Sequence, residues 1–204
     1  MPVSSAVTPT IVNVGYRSAN FWVVSAGTSR LLVDLGWPGM FKTLEANLKR
    51  ADIPLREIRH GLATHYHIDH AGAAQDLKNA GMRLIVTPEQ VGSIAGMKTY
   101  IKKGEPYTDI VAAGNVVVRY EETRAFLATI GIAGEIVHTP GHSDDSVSLL
   151  LDTGAVFTAD LTHPSLVTEE SAATVAQSWA KLRERGATTV YAGHGPVRPL
   201  EKAG

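Results

Sequence analysis

The chain contains no cysteine among its 204 residues. This absence excludes disulfide bonds, thiolate metal ligands and a thiol nucleophile, so any metal must be held by nitrogen and oxygen atoms. Neither sign of charge is in excess, because 19 lysines and arginines oppose 20 aspartates and glutamates. A net charge of -1 gives no general attraction for a phosphate backbone or an anionic bilayer, so neither nucleic acid nor a membrane is an expected partner.

Long apolar runs are also missing, since no stretch reaches the roughly 18 to 20 residues that a membrane-spanning helix needs. The N-terminal stretch has neither a basic leader nor an uninterrupted apolar segment, so we expect no secretory signal and, by default, a cytoplasmic location. The composition of 44% hydrophobic and 19% charged residues is typical of a folded globular chain. We therefore expect one domain over residues 1–204.

The predicted elements alternate strands with helices along the chain. Stretches rich in β-branched and aromatic residues predict strands at residues 10–14, 21–25, 30–34, 58–63, 83–86, 135–138, 146–151, 155–158 and 188–191. Apolar residues at helical spacing predict helices at residues 40–51, 71–80, 121–130 and 169–185. Thr87, Pro88 and Gln90 have the pattern of a helix start with a capping box. Residues 93–111 show no clear period, and both a helical lid and a surface excursion stay open.

Four possible metal ligands lie close together at His65, His67, Asp69 and His70. In an extended segment His65 and His67 face the same side, and a following turn brings the other two back toward them. The segment lies between a predicted strand and a predicted helix, where α/β architectures expose ligand-binding groups. A polar loop whose histidines only satisfy core hydrogen bonds is the alternative. Four such residues at this spacing favour a metal site.

Three further candidates each occupy a small-residue turn directly after an apolar strand. They are His142, Asp160 and His194. A glycine beside each of the two histidines lets the backbone turn sharply and approach an ion. Taken singly, each has a competing interpretation: a turn residue for His142, a helix cap for Asp160 and a surface histidine for His194.

Together these motifs resemble those of the metallo-β-lactamase fold hydrolases, in which an early aspartate, HxHxDH, a later His, a bridging Asp and a final His follow in order. Asp34 matches the first position, and the others are occupied in order by His65, His67, Asp69, His70, His142, Asp160 and His194. The resemblance covers roughly residues 10–198. It implies an α+β fold, a four-layer αβ/βα sandwich of two mixed β-sheets flanked by helices, with the site at one edge between the sheets.

The resemblance also implies how the ligands divide between two ions. One ion is held by His65, His67 and His142, the other by Asp69, His70 and His194, and Asp160 bridges both. Asp34 is expected behind the ligands, orienting a histidine through a hydrogen bond. His60 and His138 lie outside the pattern and are assigned structural roles.

Imidazole and carboxylate ligands suit borderline to hard cations, so two divalent ions are expected, zinc first, with iron, manganese, cobalt or nickel compatible with the same ligands. A metal-bridging hydroxide would then attack an ester, lactone, thioester or phosphodiester-type small-molecule substrate. Asp69 is expected to be both ligand and proton shuttle. His163, in the loop after Asp160, is a second catalytic candidate, because lactonases of this fold place a tyrosine there. A solvent-exposed loop histidine is the alternative.

Differences between this chain and known enzymes of the same fold make some substrate classes less expected. His70 stands where many β-lactamases of this fold carry a non-ligand residue, and no cysteine is present for their thiolate site, so antibiotic hydrolysis is disfavoured. Few residues follow His194, so the C-terminal helical domain of glyoxalase II is not expected, although thioester chemistry stays open. A persulfide dioxygenase-like iron oxidoreductase and a non-catalytic metal-binding protein are the other candidate classes. The complete ligand set favours the hydrolase.

Apolar side chains near the predicted site are candidates for a substrate-binding wall. Trp37 follows the third predicted strand, and Met97, Tyr100 and Tyr107 lie in the segment without a clear period. We expect these four side chains either to contact the apolar part of a substrate or to be ordinary core and surface residues.

Overall fold

The structure is a computed structural model that describes residues 8–26 and 29–201. Residues 1–7, which include part of the stretch where a secretory leader was not expected, lie outside the described residues. Residues 27, 28 and 202–204 of the expected domain also lie outside them. In the described ranges, none of the helices combines the length and the apolar character that crossing a bilayer requires.

A first mixed sheet contains six strands in sequential order. They are β1 (Thr10–Asn13), β2 (Trp22–Ala26), β3 (Ser29–Val33), β4 (Ile58–Leu62), β5 (Arg83–Val86) and β6 (Val116–Val117). The first three strands pair antiparallel, and the pairs from β3 to β6 are parallel. Parallel strands in sequence require crossover connections, which the helices between them provide.

A second mixed sheet contains five strands in the order β11, β10, β9, β8, β7. They are β7 (Gly134–His138), β8 (Val147–Leu151), β9 (Ala155–Ala159), β10 (Thr189–Ala192) and β11 (Arg198–Pro199). Strands β9 and β10 are parallel, and the other pairs are antiparallel. The nine predicted strands are all present. The two strands that were not predicted, β6 and β11, have two residues each and are too short to show a strand pattern in the sequence.

Six helices accompany the sheets in the described part of the chain. They are α1 (Phe41–Arg50), α2 (Ile68–Ala71), α3 (Ala74–Asn79), α4 (Pro88–Gly96), α5 (Thr123–Thr129) and α6 (Ala172–Glu184). The capping box at the start of α4 is confirmed. The single helix predicted over residues 71–80 is wrong, because the chain forms α2 and α3 separately. Pro38 packs against Gly72 between them, so closely that a Cβ on Gly72 would lie 2.3 Å from the Pro38 ring.

The core is divided by the alternation of side chains along the strands. Leu31 and Val33 of β3 enter the core between the two sheets, where they join Leu149 and Phe157 of the second sheet. The intervening Leu32 faces the opposite side, in a cluster that includes residues of α1 and α3. On the far face of the second sheet, a third cluster packs against α6. Two sheets with helices on both outer faces make the predicted four-layer sandwich, and the fold is confirmed.

Five loops that follow strand ends supply the candidate site residues. The loops come after β3, β4, β7, β9 and β10. Backbone hydrogen bonds hold these loops together and join the two sheets: Leu35 N donates to His70 O at 2.6 Å, and Val147 N of β8 donates to Thr64 O at 2.8 Å. The rigid strands thus bring residues that are far apart in sequence to a single edge of the sandwich.

Candidate metal centre

The structure brings all seven predicted ligand side chains together in two groups. The first group consists of His65, His67 and His142, and the second of Asp69, His70, Asp160 and His194. Within each group the potential ligand atoms all lie within 4.8 Å of one another. This division of the ligands is the one that the resemblance implies, with one difference. Asp160 belongs here to the second group alone, whereas the resemblance implies that it bridges both ions.

In the first group three imidazoles converge. His142 Nε2 lies 3.0 Å from His67 Nδ1, and the His65 ring centroid lies 4.4 Å from that of His67. Burial and the charge of His70 lower the pKa of His65 well below its usual 6.5. Burial likewise lowers the pKa of His142. Neutral imidazoles present lone pairs, which is the state in which histidine binds a metal ion.

In the second group the ligand atoms are spaced as they would be around one cation. His70 Nε2 lies 3.4 Å from Asp160 Oδ1 and 3.5 Å from Asp69 Oδ2, and His194 Nε2 lies 3.4 Å and 3.3 Å from the same two oxygens. Two atoms bound at about 2.0–2.1 Å in tetrahedral geometry lie roughly 3.4 Å apart. These distances therefore fit shared coordination better than direct hydrogen bonds.

Asp160 faces both groups. Its Oδ1 atom approaches the two histidines of the second group, while its Oδ2 atom lies 3.7 Å from His142 Nε2 in the first. Burial raises the pKa of this carboxyl, but contacts with His70 outweigh it and hold the pKa below its ordinary value. Gly193 permits the arrangement, since a Cβ there would lie 2.6 Å from Asp160 Oδ1 and 2.7 Å from His70 Cε1.

Buried atoms without hydrogen-bond partners concentrate at this centre. Three of the five such side-chain atoms in the described residues are His65 Nε2, His70 Nε2 and Asp160 Oδ1. An unsatisfied buried polar atom costs about 1–3 kcal/mol. Coordination of divalent cations would satisfy all three atoms, so the donor set fits a metal centre.

A second layer of contacts fixes the orientation of the ligand rings. Asp34 Oδ2 lies 2.9 Å from His70 Nδ1, and Asp34 Oδ1 accepts hydrogen bonds from Thr64 N at 2.9 Å and Thr64 Oγ1 at 2.7 Å. Burial alone would lower the pKa of His70, but Asp34 and Asp160 together raise it well above 6.5. Asp34 therefore lies behind His70, one of the predicted ligands, where the resemblance places it. The corresponding contact of His194, whose Nδ1 atom lies 2.6 Å from Ser18 O, has no signal in the sequence.

Of the four apolar wall candidates, only Tyr100 contacts a ligand side chain in the described structure. Its ring centroid lies 5.6 Å from that of His67, and the residue is 59% exposed. Met97 is buried in the core, which is the second of the two alternatives left open for it, and Tyr107 also packs against the core. Trp37 lines a separate cavity of about 260 Å³. Residues 93–111 combine the end of α4, a 3-10 turn and an irregular excursion.

The remaining histidines lie outside the two groups. His163 Nδ1 lies 2.8 Å from Ser165 Oγ, and its Nε2 atom lies 4.0 Å from Glu201 Oε1. Its catalytic role therefore stays a prediction. His60 packs edge-on against Phe126, and His138 Nε2 lies 2.8 Å from a backbone carbonyl oxygen, as expected of structural residues.

The sequence pattern of the metallo-beta-lactamase superfamily matches residues 14–194. The chain belongs to this superfamily. A lactamase-like protein of Pestalotiopsis microspora is 28% identical over 89% of this chain and 50% of its own length. The atrochrysone carboxyl ACP thioesterase of Claviceps purpurea is 29% identical over 97% of this chain and 60% of its own length. The chain thus spans about half the length of the curated relatives it matches.

A solved structure of the superfamily shares the fold. The BLEG-1 B3 metallo-beta-lactamase superposes with a TM-score of 0.70 at 22% identity, over 95% of this chain and 94% of that chain. The coverage of both chains shows that the likeness extends over the whole fold rather than over one sheet.

Proposed function

We propose that this chain is a metal-dependent hydrolase that binds two divalent cations, zinc first among them, and cleaves a thioester-type small-molecule substrate. The observation that carries the proposal is the position of Asp160, whose two oxygens face different ligand groups. A carboxylate placed in this way is suited to bridging two ions. We further propose that the described residues act together as one metallo-β-lactamase-like domain.

In this proposal each ion has its own ligands. His65, His67 and His142 hold one, Asp69, His70 and His194 hold the other, and Asp160 contacts both. When bound, the ions supply Lewis acidity that polarises a substrate carbonyl and lowers the pKa of a coordinated water to about 7. The protein contributes orientation, because partners at the Nδ1 atoms of His70 and His194 direct the Nε2 atoms of both rings into the site.

Asp69 is the residue proposed to move a proton. Its Oδ2 atom lies 3.3 Å from His194 Nε2 and 3.5 Å from His70 Nε2, and its side chain is 18% exposed. The carboxylate therefore lies beside the proposed ion while remaining open to the pocket. From there it can accept a proton from the attacking water and donate it to the leaving group.

Two observations favour a thioester among the chemically related substrates. Relatives that match most of this chain are named as acyl carrier protein thioesterases. In addition, His163 makes its contacts with Ser165 and Glu201, which leaves the proposed proton shuttle Asp69 without a second acid-base partner in this proposal. A thiol has a pKa of about 8.5 and leaves readily as the thiolate, so it needs less protonation than an alcohol does.

The proposal is tested by metal analysis combined with a substrate panel. Purified protein is assayed for bound metals and for hydrolysis of acyl thioesters, esters, lactones and phosphodiesters. We expect two divalent ions per chain and highest turnover on the thioester. Asp160→Ala should lose metal and activity together, whereas Asp152→Ala, at an exposed surface ion pair, should lose neither.

Two outcomes would contradict the proposal. Asp160→Ala protein with two tightly bound ions and ordinary turnover would exclude the bridging role of this carboxylate. Iron in the purified protein, together with persulfide-dependent oxygen uptake and no thioester hydrolysis, would replace the hydrolase with an oxidoreductase of the same fold.

A further inference from the structure

The two ligand groups differ in the negative charge that surrounds them. The second group contains the carboxylate of Asp69 and is supported from behind by Asp34. The first group consists of three imidazoles, and the carboxylate nearest to it is the shared Asp160. Burying a cation among neutral ligands is unfavourable unless a negative charge lies nearby. A further carboxylate beside the first group would therefore stabilise an ion held there.

The structure buries one more carboxylate, and it touches the segment that carries the first group. Among the described residues only two acidic side chains are buried, Asp34 at 1% exposure and Asp145 at 7%. Asp145 Oδ2 accepts a hydrogen bond from the backbone N of Tyr66 at 2.9 Å. Tyr66 lies between His65 and His67, so Asp145 holds the peptide that joins two of the three ligands.

The third ligand lies on the same loop as Asp145. His142 precedes Asp145 by three residues, in the connection that leads into β8. At the end of this connection Val147 N donates to Thr64 O at 2.8 Å, so the two ligand loops are joined at two points. One of these points is a backbone pair that any sequence could form. The other depends on the Asp145 side chain.

No cationic side chain of the described residues is paired with Asp145. Its hydrogen bond comes from a neutral peptide N–H, and no ion pair within the described residues includes it. Ionised carboxylates are rarely buried unless they are paired or lie close to a metal ion. A cation held by the three imidazoles would supply the missing positive charge.

We propose that Asp145 is the outer carboxylate of the first group, where it positions the His65–Tyr66–His67 segment and offsets the charge of the ion bound there. Asp34 has the equivalent place behind the second group. This inference rests on the proposed two-ion site. Asp145 acts through its neighbours, and it is a positioning residue rather than a catalytic one.

The test separates charge from hydrogen bonding with Asp145→Asn. The amide oxygen still accepts from Tyr66 N and the volume is nearly unchanged, but the negative charge is gone. Stepwise zinc affinities are measured by competition with a chromophoric chelator, and the Tm of the metal-free protein is measured in parallel. We expect one zinc affinity to fall about tenfold or more, as for other outer-layer substitutions. The metal-free Tm should be unchanged or higher, because a neutral amide is easier to bury.

Asp144→Asn is the matched control, since Asp144 precedes Asp145 directly but its side chain is exposed. It should leave both affinities unchanged. In a His194→Ala background, which removes a ligand from the second group only, Asp145→Asn should still weaken binding of the remaining ion. Asp145→Ala, which removes the hydrogen bond as well, should bind that ion more weakly still.

A lower metal-free Tm in Asp145→Asn with unchanged zinc affinities would overturn the inference, because Asp145 would then be a purely structural residue. Equal affinities in Asp145→Asn and wild type would also overturn it, and would leave the two-ion site intact. Wild-type protein that binds no zinc would instead overturn the proposed function, and this inference with it.

Discussion

Asp34→Asn reverses one hydrogen bond of the proposed metal centre and removes one negative charge behind it. In the present structure Asp34 Oδ1 accepts from Thr64 N and Thr64 Oγ1, and Asp34 Oδ2 lies 2.9 Å from His70 Nδ1. An amide oxygen in the variant can keep both bonds to Thr64, which places the NH2 group against His70 Nδ1. That nitrogen must then accept, so the ring proton moves to Nε2 and points into the site. The ligand atom is thereby blocked.

The expected loss follows from the bond that must be broken. In the variant, restoring the metal-binding tautomer sets the ring N–H of His70 against the amide NH2 group and leaves a buried donor without an acceptor, which costs about 1–3 kcal/mol. At 1.4 kcal/mol per factor of ten, the affinity of the second group for zinc should fall about 5-fold to 150-fold. Asp34 has a left-handed backbone with φ of 62°, which asparagine tolerates, so the metal-free protein should remain folded.

The assay is a chelator competition titration of zinc, with circular dichroism of the metal-free protein as the measure of folding. Asp52→Asn is a matched control, because Asp52 also has a left-handed backbone, with φ of 56°, but lies on the exposed surface. It should bind zinc as wild type does. Wild-type zinc affinity in correctly folded Asp34→Asn protein would refute the tautomer argument.

Three other substitutions test separate parts of the site. Gly193→Ala should fold yet lose metal, because its Cβ would lie 2.6 Å from Asp160 Oδ1; full metal content by elemental analysis would contradict this. Tyr100→Ala should raise KM several-fold with metal and kcat retained, since its exposed ring borders His67; an unchanged KM would exclude it from the substrate wall. If His163 is an acid or base, His163→Ala should lower kcat about 10²-fold with metal retained, and near-normal kcat across pH 5 to 9 would leave it structural.

Much of the fold was readable in the sequence because its signals are local. Stretches rich in β-branched and aromatic residues mark each long strand, and Thr87 with Gln90 marks the start of α4. The break between α2 and α3 was missed, because it depends on Pro38 packing against Gly72 from a distant loop. Local periodicity contains no information on such a contact.

The ligands were readable for a different reason. Histidine and aspartate at metal-binding spacing are chemically distinctive, whereas the groups that support them are not. Ser18 contacts His194 through a backbone carbonyl, which every residue possesses. Asp145 has the same side chain as its neighbour Asp144, and only the folded chain shows which of the two is buried against Tyr66. The choice between wall and core stayed open for Met97, because its burial is likewise decided by tertiary packing.

The central claim is that two ions sharing Asp160 carry out the hydrolysis. The direct test is to titrate metal-free protein with zinc while recording bound zinc and thioester turnover in the same samples. We predict saturation at two zinc ions per chain, with turnover reaching its maximum only at the second equivalent. In Asp160→Ala, bound zinc and turnover should both be reduced. Full turnover in the metal-free protein, or saturation at one ion with no change in Asp160→Ala, would contradict it.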